Sequence, residues 1–246
     1  MRIPILLVTI LMTAPTMAAD NAARGSDTSV SLVPYLWSAT FDGTVGAGEG
    51  GTDRIDVVSD FGELDIGGFM LAADWRRGAW SVFGDLSYVR VTTDASPRLG
   101  LLYRGADAEL RGTILQGAVG HTLYADDAAT VDLFAGVRYI RVRLDLDVTG
   151  NIAPSVSLDA TDDWVDGIVG ARGAHQVAEH WALGWYGDVG AGGSDLSWQV
   201  SAWLAYDAGW GSVVGGWRHL DVDYQKREIR LDAALTGPFL GVAFGF

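Results

Sequence analysis

The chain has 246 residues and a formal net charge of −14, from 31 acidic and 17 basic side chains. That acidity argues against nucleic-acid binding, which needs a basic surface to displace counterions. The lack of Cys excludes a disulfide framework, a thiolate nucleophile and a lipid-anchored N-terminal cysteine.

The first element is MRIPILLVTILMTAPTMAAD, residues 1–20. One Arg, an apolar run of about ten residues and small residues at Ala18 and Ala19 make the three parts of an export signal, too short to span a bilayer as a helix. Residues 1–19 are therefore predicted to be a cleaved signal peptide and 20–246 a single β-rich domain, whose 33 Gly and 10 Trp suit curved, closely packed sheet. Without the signal, whose one charge is Arg2, the net charge is −15.

From residue 28 onward apolar and polar residues alternate, as they do on a strand with two unlike faces. Ten strands are predicted: 28–41, 64–76, 80–92, 107–123, 129–147, 164–176, 181–191, 195–207, 210–223 and 227–246. The first leads into connection 42–63, which is long enough to fold inward as a partial plug. On the second, Phe69, Leu71, Ala73 and Trp75 share a face opposite Asp74; on the third, Trp80, Val82, Leu86 and Tyr88 lie opposite Asp85. The fourth carries Gln116 on its polar face and runs to Tyr124 at the next turn. The fifth sets Val131, Leu133, Ala135, Val137 and Tyr139 against Asp132 and Arg138. Beyond Tyr139 its apolar face becomes Arg141, Arg143, Asp145 and Asp147, as on a strand leaving lipid for water.

The sixth strand opens at Trp164 and holds Asp166 and Arg172; the seventh opens at Trp181 and holds Asp188. In DLSWQVSAWLAYD, residues 195–207, the apolar face is Leu196, Trp198, Val200, Ala202, Leu204 and Tyr206. Ser197, Gln199, Ser201 and the bulky Trp203 share the other. The ninth strand carries Trp217 and Arg218. The tenth ends on Phe246, with a phase slip expected at Gly237–Pro238 because Pro lacks a ladder donor, so that Leu231, Ala233 and Leu235 join the apolar face upstream of it.

Connections after the even-numbered strands are short, and those after the first, third and fifth are long, as in a barrel with short turns on the periplasmic rim. Aromatic residues mark both rims: Trp75, Trp80, Tyr124, Trp181, Tyr206 and Trp210 at the short turns, and Tyr88, Tyr139 and Trp164, with Trp37 and Trp217, at the far ends. Two such girdles suit two water–lipid interfaces. The fold predicted is all-β: a transmembrane antiparallel up-and-down β-barrel of about ten strands, eight or twelve being the alternatives. Its charges then point inward and need partners. Asp74, Asp85, Asp166 and Asp188 are expected to form a network with Arg138, Arg172 and Arg218, with Gln116, Gln199 and Ser201 as further polar lumen residues.

The final strand ending in Phe246 resembles the C-terminal signal read by the outer-membrane assembly machinery of Gram-negative bacteria. PYLW…FDGTVG (34–46), WVDGIVGAR (164–172), GDVGAGGSDLSWQ (187–199), WRHLDVDY (217–224) and GPFLGVAFGF (237–246) together resemble a family of uncharacterised proteobacterial outer-membrane β-barrel proteins. The resemblance covers nearly the whole mature chain and implies localisation in the outer membrane; it implies no particular activity.

Chemistry-bearing patterns are sparse. His121 and His175 are expected to face outward near the periplasmic rim, with His180 nearby; His219 sits beside Asp221 and Asp223, a pair able in principle to activate water in a lipid- or peptide-modifying enzyme. No partnered nucleophile and no metal-ligand spacing accompany it. The acidic stretches 159–163 and 221–228 lack a calcium-loop pattern, and VGAGEGG, residues 45–51, lacks the Lys and helix of a phosphate loop. Ten strands sit near the filled end of the barrel size range. The expectation is a monomeric barrel without metal or cofactor, touching outer-membrane lipids and lipopolysaccharide and conducting at most small or hydrophobic solutes.

Overall fold

A computed structural model of the protein describes residues 28–47, 53–59, 65–95, 103–150, 156–226 and 229–246. The expected signal peptide lies outside the described residues. The strands are β1 (Thr28–Trp37), β2 (Thr40–Ala47), β3 (Asp53–Ser59), β4 (Asp65–Arg77), β5 (Trp80–Ala95) and β6 (Tyr103–Ala125), then β7 (Ala129–Gly150), β8 (Val156–Ala178), β9 (Trp181–Gly192), β10 (Leu196–Asp207), β11 (Ser212–Lys226) and β12 (Ile229–Gly245).

From β4 to β12 each strand pairs antiparallel with the next, and β1 pairs with both β4 and β12, which closes the sheet. β1 and β2 are one staff of the wall. Both meet β12 in the same register, Trp37 opposite Phe239 and Thr40 opposite Thr236, across a break at Ser38–Ala39. β3 hangs on β2 as a hairpin arm, so the closed wall has ten strands. Closure spares the ten wall strands a bare edge where they cross hydrocarbon. At the seam Phe246 and Val30 exchange both backbone hydrogen bonds, at 2.8 and 3.0 Å.

Connection 42–63 is not a simple loop: its residues 42–47 and 53–59 belong to the β2–β3 hairpin on β12, in place of an inward plug. Nor does the phase of the last strand slip at Pro238. The β11–β12 register runs unbroken from Ser212–Ala243 to Lys226–Ile229. The irregularity is on the facing strand, where the Ser38 N–H donates to the Pro238 carbonyl at 2.9 Å and the Trp37 indole N–H to the Gly237 carbonyl at 3.2 Å. A Cβ on Gly237 would lie 1.8 Å from the Ser38 carbonyl oxygen, so only glycine lets the two strands approach. Ala233 and Leu235 consequently point inward, into the apolar core described next.

The barrel is inside-out over its lower part. Leu36 is 68% exposed and Leu240 63%, whereas Arg138 is 0% exposed. In water such a distribution would be strongly unfavourable; against acyl chains it is the one that works. Higher up, polarity inverts on both faces together. On β7 the outward residues change from Leu133, Val137 and Tyr139 to Arg141, Arg143 and Asp145, while the inward ones change from Asp132 and Arg138 to Ile140 and Val142. Trp37, Met70, Ile114, Ile140, Trp164, Leu220, Val222 and Tyr224 form an apolar core inside this upper part. The protein thus has a membrane storey, oily outside and ionic inside, beneath a storey built like a water-soluble barrel.

Trp203, bulky at an inward position, is accommodated by its neighbours: Gly184 on β9 and Gly216 on β11 lie directly opposite it. A Cβ on Gly184 would fall 2.2–2.5 Å from the indole. Gly184→Ala is expected to cost about 1–3 kcal/mol through overpacking. Adding Trp203→Ala should remove most of that penalty, as read from the double-mutant cycle in urea unfolding from lipid vesicles.

Candidate functional site

The lumen of the membrane storey is the chemically distinctive region, and sheet register assembles it. Asp85, Gln116, Arg138 and Asp166 are successive cross-strand partners on β5 to β8. A second inward row runs Thr122, Asp132, Arg172, Tyr186, Ser201 and Arg218 on β6 to β11. Because barrel strands tilt, a row of partners climbs as it circles the wall. The last member of the second row, Arg218, thereby comes level with the first member of the other: its Nη1 lies 3.0 Å from Asp85 Oδ1.

Three clusters result. Nearest the periplasmic turns, Arg172 contacts Asp74 at 2.5 Å and Asp132 at 3.1 Å, and Asp132 also takes Arg76 at 2.6 Å and the Thr122 hydroxyl at 2.8 Å. The Arg172 guanidinium stacks 3.8 Å over Phe83. At mid-height Arg138 meets Asp188 at 2.5 Å and donates from Nε and Nη2 to Gln116; the Gln116 amide and Asp188 both bond the Tyr186 hydroxyl. Beside it, Arg218 donates to Gln199 at 2.8 Å and to Asp85, while the Tyr35 hydroxyl donates to Asp85 at 2.6 Å. Its guanidinium lies 4.6 Å from the Trp37 ring. Phe83, Phe134 and Tyr186 pack between the levels, with ring centroids 5.1 and 5.0 Å apart.

The arrangement differs from the expected one in specific ways. Each of Arg138, Arg172 and Arg218 has a carboxylate partner, but Asp166 does not contact an arginine. It accepts from the Ser194 backbone N–H at 2.7 Å, the Ser194 hydroxyl at 2.7 Å and the Ser197 hydroxyl at 3.0 Å. It therefore anchors the β9–β10 turn and reaches Arg138 only through Ser197. Ser201 points inward between Tyr186 and Arg218. In the sequence Ser197 falls on a polar face, but neither Arg76, Tyr35 nor Tyr186 is picked out. Arg76 has the parity of Asp74 and was legible; the hydroxyl partners are decided by proximity across the lumen.

The girdle residues Trp75, Trp80, Tyr124, Trp181, Tyr206 and Trp210 are exposed at the short-turn rim, and Tyr88 and Tyr139 lie on the outer face at the other. Trp164 does not belong with them. It is 6% exposed, inside the upper core, stacked on Tyr224 at 4.3 Å. Its parity matches Asp166 and Ile168, which face inward, so the alternation overrides the expectation drawn from its place near a strand end. Trp37 is likewise inside.

His219 is on the outer face of β11, bonded through Nδ1 to the Thr236 hydroxyl and tilted against Trp198, 4.6 Å between rings. His121 lies edge-on to Trp80 at the periplasmic rim. Among the described residues no group of three or more His, Asp or Glu is placed to hold a metal ion.

No family model and no curated protein matches the sequence. Among solved structures the chain is similar to the outer-membrane protease OmpT of Escherichia coli, with 12% identity, a TM-score of 0.58 and coverage of 92% of this chain and 100% of that one. Further matches are Ail, the attachment invasion locus protein of Yersinia pestis (9% identity, 89% and 99% covered, TM-score 0.40), and OprG of Pseudomonas aeruginosa (7%, 92% and 99%, 0.39). The protein is an outer-membrane β-barrel of the Gram-negative type, with a closed wall of ten antiparallel strands. At such identities the likeness is one of fold.

Asp188→Asn is expected to leave the buried Arg138 without its carboxylate and to cost about 3–5 kcal/mol in urea unfolding. Asp74→Ala, where Arg172 keeps Asp132 and both side chains are partly wet, should cost about 1 kcal/mol or less. Outside the membrane, in the β6–β7 turn, the Tyr124 hydroxyl and then the backbone N–H groups of Ala128 and Ala129 hold the Asp126 carboxyl below its ordinary pKa. A depressed carboxylate pKa adds stability that is complete above the unfolded-state value and disappears as pH falls through the folded-state one. The stability gap between the wild type and Asp126→Ala should accordingly be flat near neutrality and narrow in the acid range.

Proposed function

We propose that this protein is a sealed barrel whose role is structural and surface-interactive: a non-catalytic, monomeric component of the outer membrane that contacts its lipids and lipopolysaccharide. In this reading it is exported by its signal peptide, delivered through the assembly machinery by the strand ending at Phe246, and belongs to the proteobacterial barrel family its motifs resemble.

The observation that carries the proposal is the filling of the lumen at two heights. The Arg138 and Arg218 clusters join β7 to β9 and β11 to β5, and above them the Trp164–Tyr224 stack joins β8 to β11 within the apolar core. Moving water or ions past both levels requires breaking buried charge pairs and then crossing an oily layer. In planar bilayers the purified protein should give no currents of porin size; large, steady conductance would refute the sealed reading.

One observation favours a second reading, a narrow route for hydrophobic solutes. The β1–β4 ladder ends at Tyr35–Met70, and an apolar groove of about 480 Å³ runs on the lipid side from Phe69 past Leu36 to Leu240 and Phe244. Uptake of a small hydrophobic dye into vesicles that exceeds empty controls, and that Leu240→Trp abolishes, would favour this route. A catalytic role has less support, because the His219 ring is engaged by Thr236 and Trp198 on the outer face, and His219→Ala is expected to leave lipid and peptide substrates as unprocessed as the wild type does.

A further inference from the structure

Pro34 stands in the wall of the membrane storey at a position where the ladder calls for a donor. Even-numbered residues of β1 turn their backbone groups to β12. Val30 exchanges both bonds with Phe246, and the same register sets Leu32 opposite Phe244, Pro34 opposite Val242 and Leu36 opposite Leu240. Pro has no N–H, so the Val242 carbonyl receives nothing from its partner. The ladder records the loss: it holds at Leu32–Phe244, lapses over Val33 and Pro34, and resumes at Tyr35–Gly241. Among the described residues no side chain supplies the missing donor.

The depth of this carbonyl follows from register. The row of partners through Val242 and Val213 descends to Tyr206 and Trp181 in the lower girdle. In the other direction it climbs from Pro34 through Leu71, Leu86 and Leu115 to Tyr139 in the upper one. Val242 therefore lies between the girdles, where hydrocarbon leaves a lone acceptor bare and costly. The seam's other proline, Pro238, withholds a donor from Ser38 only at the level of the exposed Trp217, where headgroups and water are at hand. At Val242 the wall also carries the apolar groove of about 480 Å³, whose lining includes Pro34, Leu36, Leu240 and Val242 together with Phe69 and Phe244.

We propose that this groove binds a small apolar molecule carrying one hydroxyl, of the size of an alkylphenol, which donates to the Val242 carbonyl while its hydrocarbon lies along Leu36 and Leu240. Phospholipid acyl chains fit such a groove but bring no donor, and their headgroups stay at the interface. A water at that depth would serve one acceptor and leave its own other bonds unmade, since a buried water needs about two to four polar partners. A hydroxyl on an apolar body meets both demands at once. The site occupies the groove of the second reading above but needs no passage through the wall, so binding and uptake are separable.

The test is NMR of the mature chain refolded into phosphatidylcholine nanodiscs, with valine carbonyl carbons and alanine nitrogens isotope-labelled so that only Val–Ala peptide bonds are seen. There are two, Val242–Ala243 at the groove and Val177–Ala178 at the periplasmic end of β8, which serves as internal control. Titration with para-propylphenol is expected to shift the Val242 carbonyl and leave that of Val177 in place. The methyl ether of the same phenol, alike in shape but without a donor, should bind about tenfold more weakly after correction for partition into the lipid. Pro34→Ala supplies the N–H and should remove the preference for phenol over ether, and Leu240→Trp should weaken the binding of both several-fold. Heat-modifiable gel mobility checks that each variant is folded. A Val242 signal that ignores the phenol, as it would if water or lipid already served the carbonyl, overturns the proposal. So do equal affinities for phenol and ether, or a folded Pro34→Ala that keeps the preference. Dye uptake into vesicles reports separately on the hydrophobic route: phenol preference without uptake upholds this site and removes the route, and uptake without phenol preference removes this site alone.

Discussion

A strand in hydrocarbon has no water to satisfy its N–H and C=O groups, so its only remedy is a neighbouring strand on each side. The rest of this structure follows from that requirement. Ten strands must close, and β12 must return to β1; the paired bonds between Phe246 and Val30 fasten the seam at its periplasmic end. Closure at ten strands then fixes a lumen of limited width, and alternation dictates that whatever the oily face excludes is placed inside it.

That placement converts a composition problem into a packing solution. Arginines and aspartates directed inward are held by geometry before any attraction acts, because tilt and register decide who can meet whom. Arg218 reaches Asp85 although the two lie on strands far apart in sequence, while Asp166, the cross-strand partner of Arg138, turns to Ser194 and Ser197 instead. Buried ionic groups of this kind do not make a barrel exceptionally stable, since desolvation offsets much of the attraction. They make a particular lumen: losing Asp188 strands the buried Arg138, whereas Arg172 keeps Asp132 when Asp74 is lost.

The inversion of polarity near Tyr139 shows how sharply the surroundings write themselves into a strand. Within a few residues β7 goes from oily outside and ionic inside to ionic outside and oily inside, without a break in its hydrogen bonding. Water above and acyl chain below impose opposite demands on the same two faces. The upper core around Trp37, Trp164 and Leu220 is the consequence, and it also lids the ionic lumen.

The sequence by itself pointed to a wall of about ten strands, their approximate limits, the handling of the two rims and the direction of the faces, save on the last strand upstream of Pro238. Those features are periodic, and a period of two is visible in a single strand such as Leu196–Asp207. It also marked Arg138, Arg172 and Arg218 as inward, since parity suffices for that. Tertiary structure alone decided which carboxylate each arginine takes and that Tyr35 and Tyr186 complete the clusters, whereas the inward place of Trp164 is already carried by its parity with Asp166. It decided too that the irregularity at Pro238 falls on the facing strand, at Ser38–Ala39. Contacts across a lumen depend on shear and tilt, which are properties of the closed ring and are carried by no one strand.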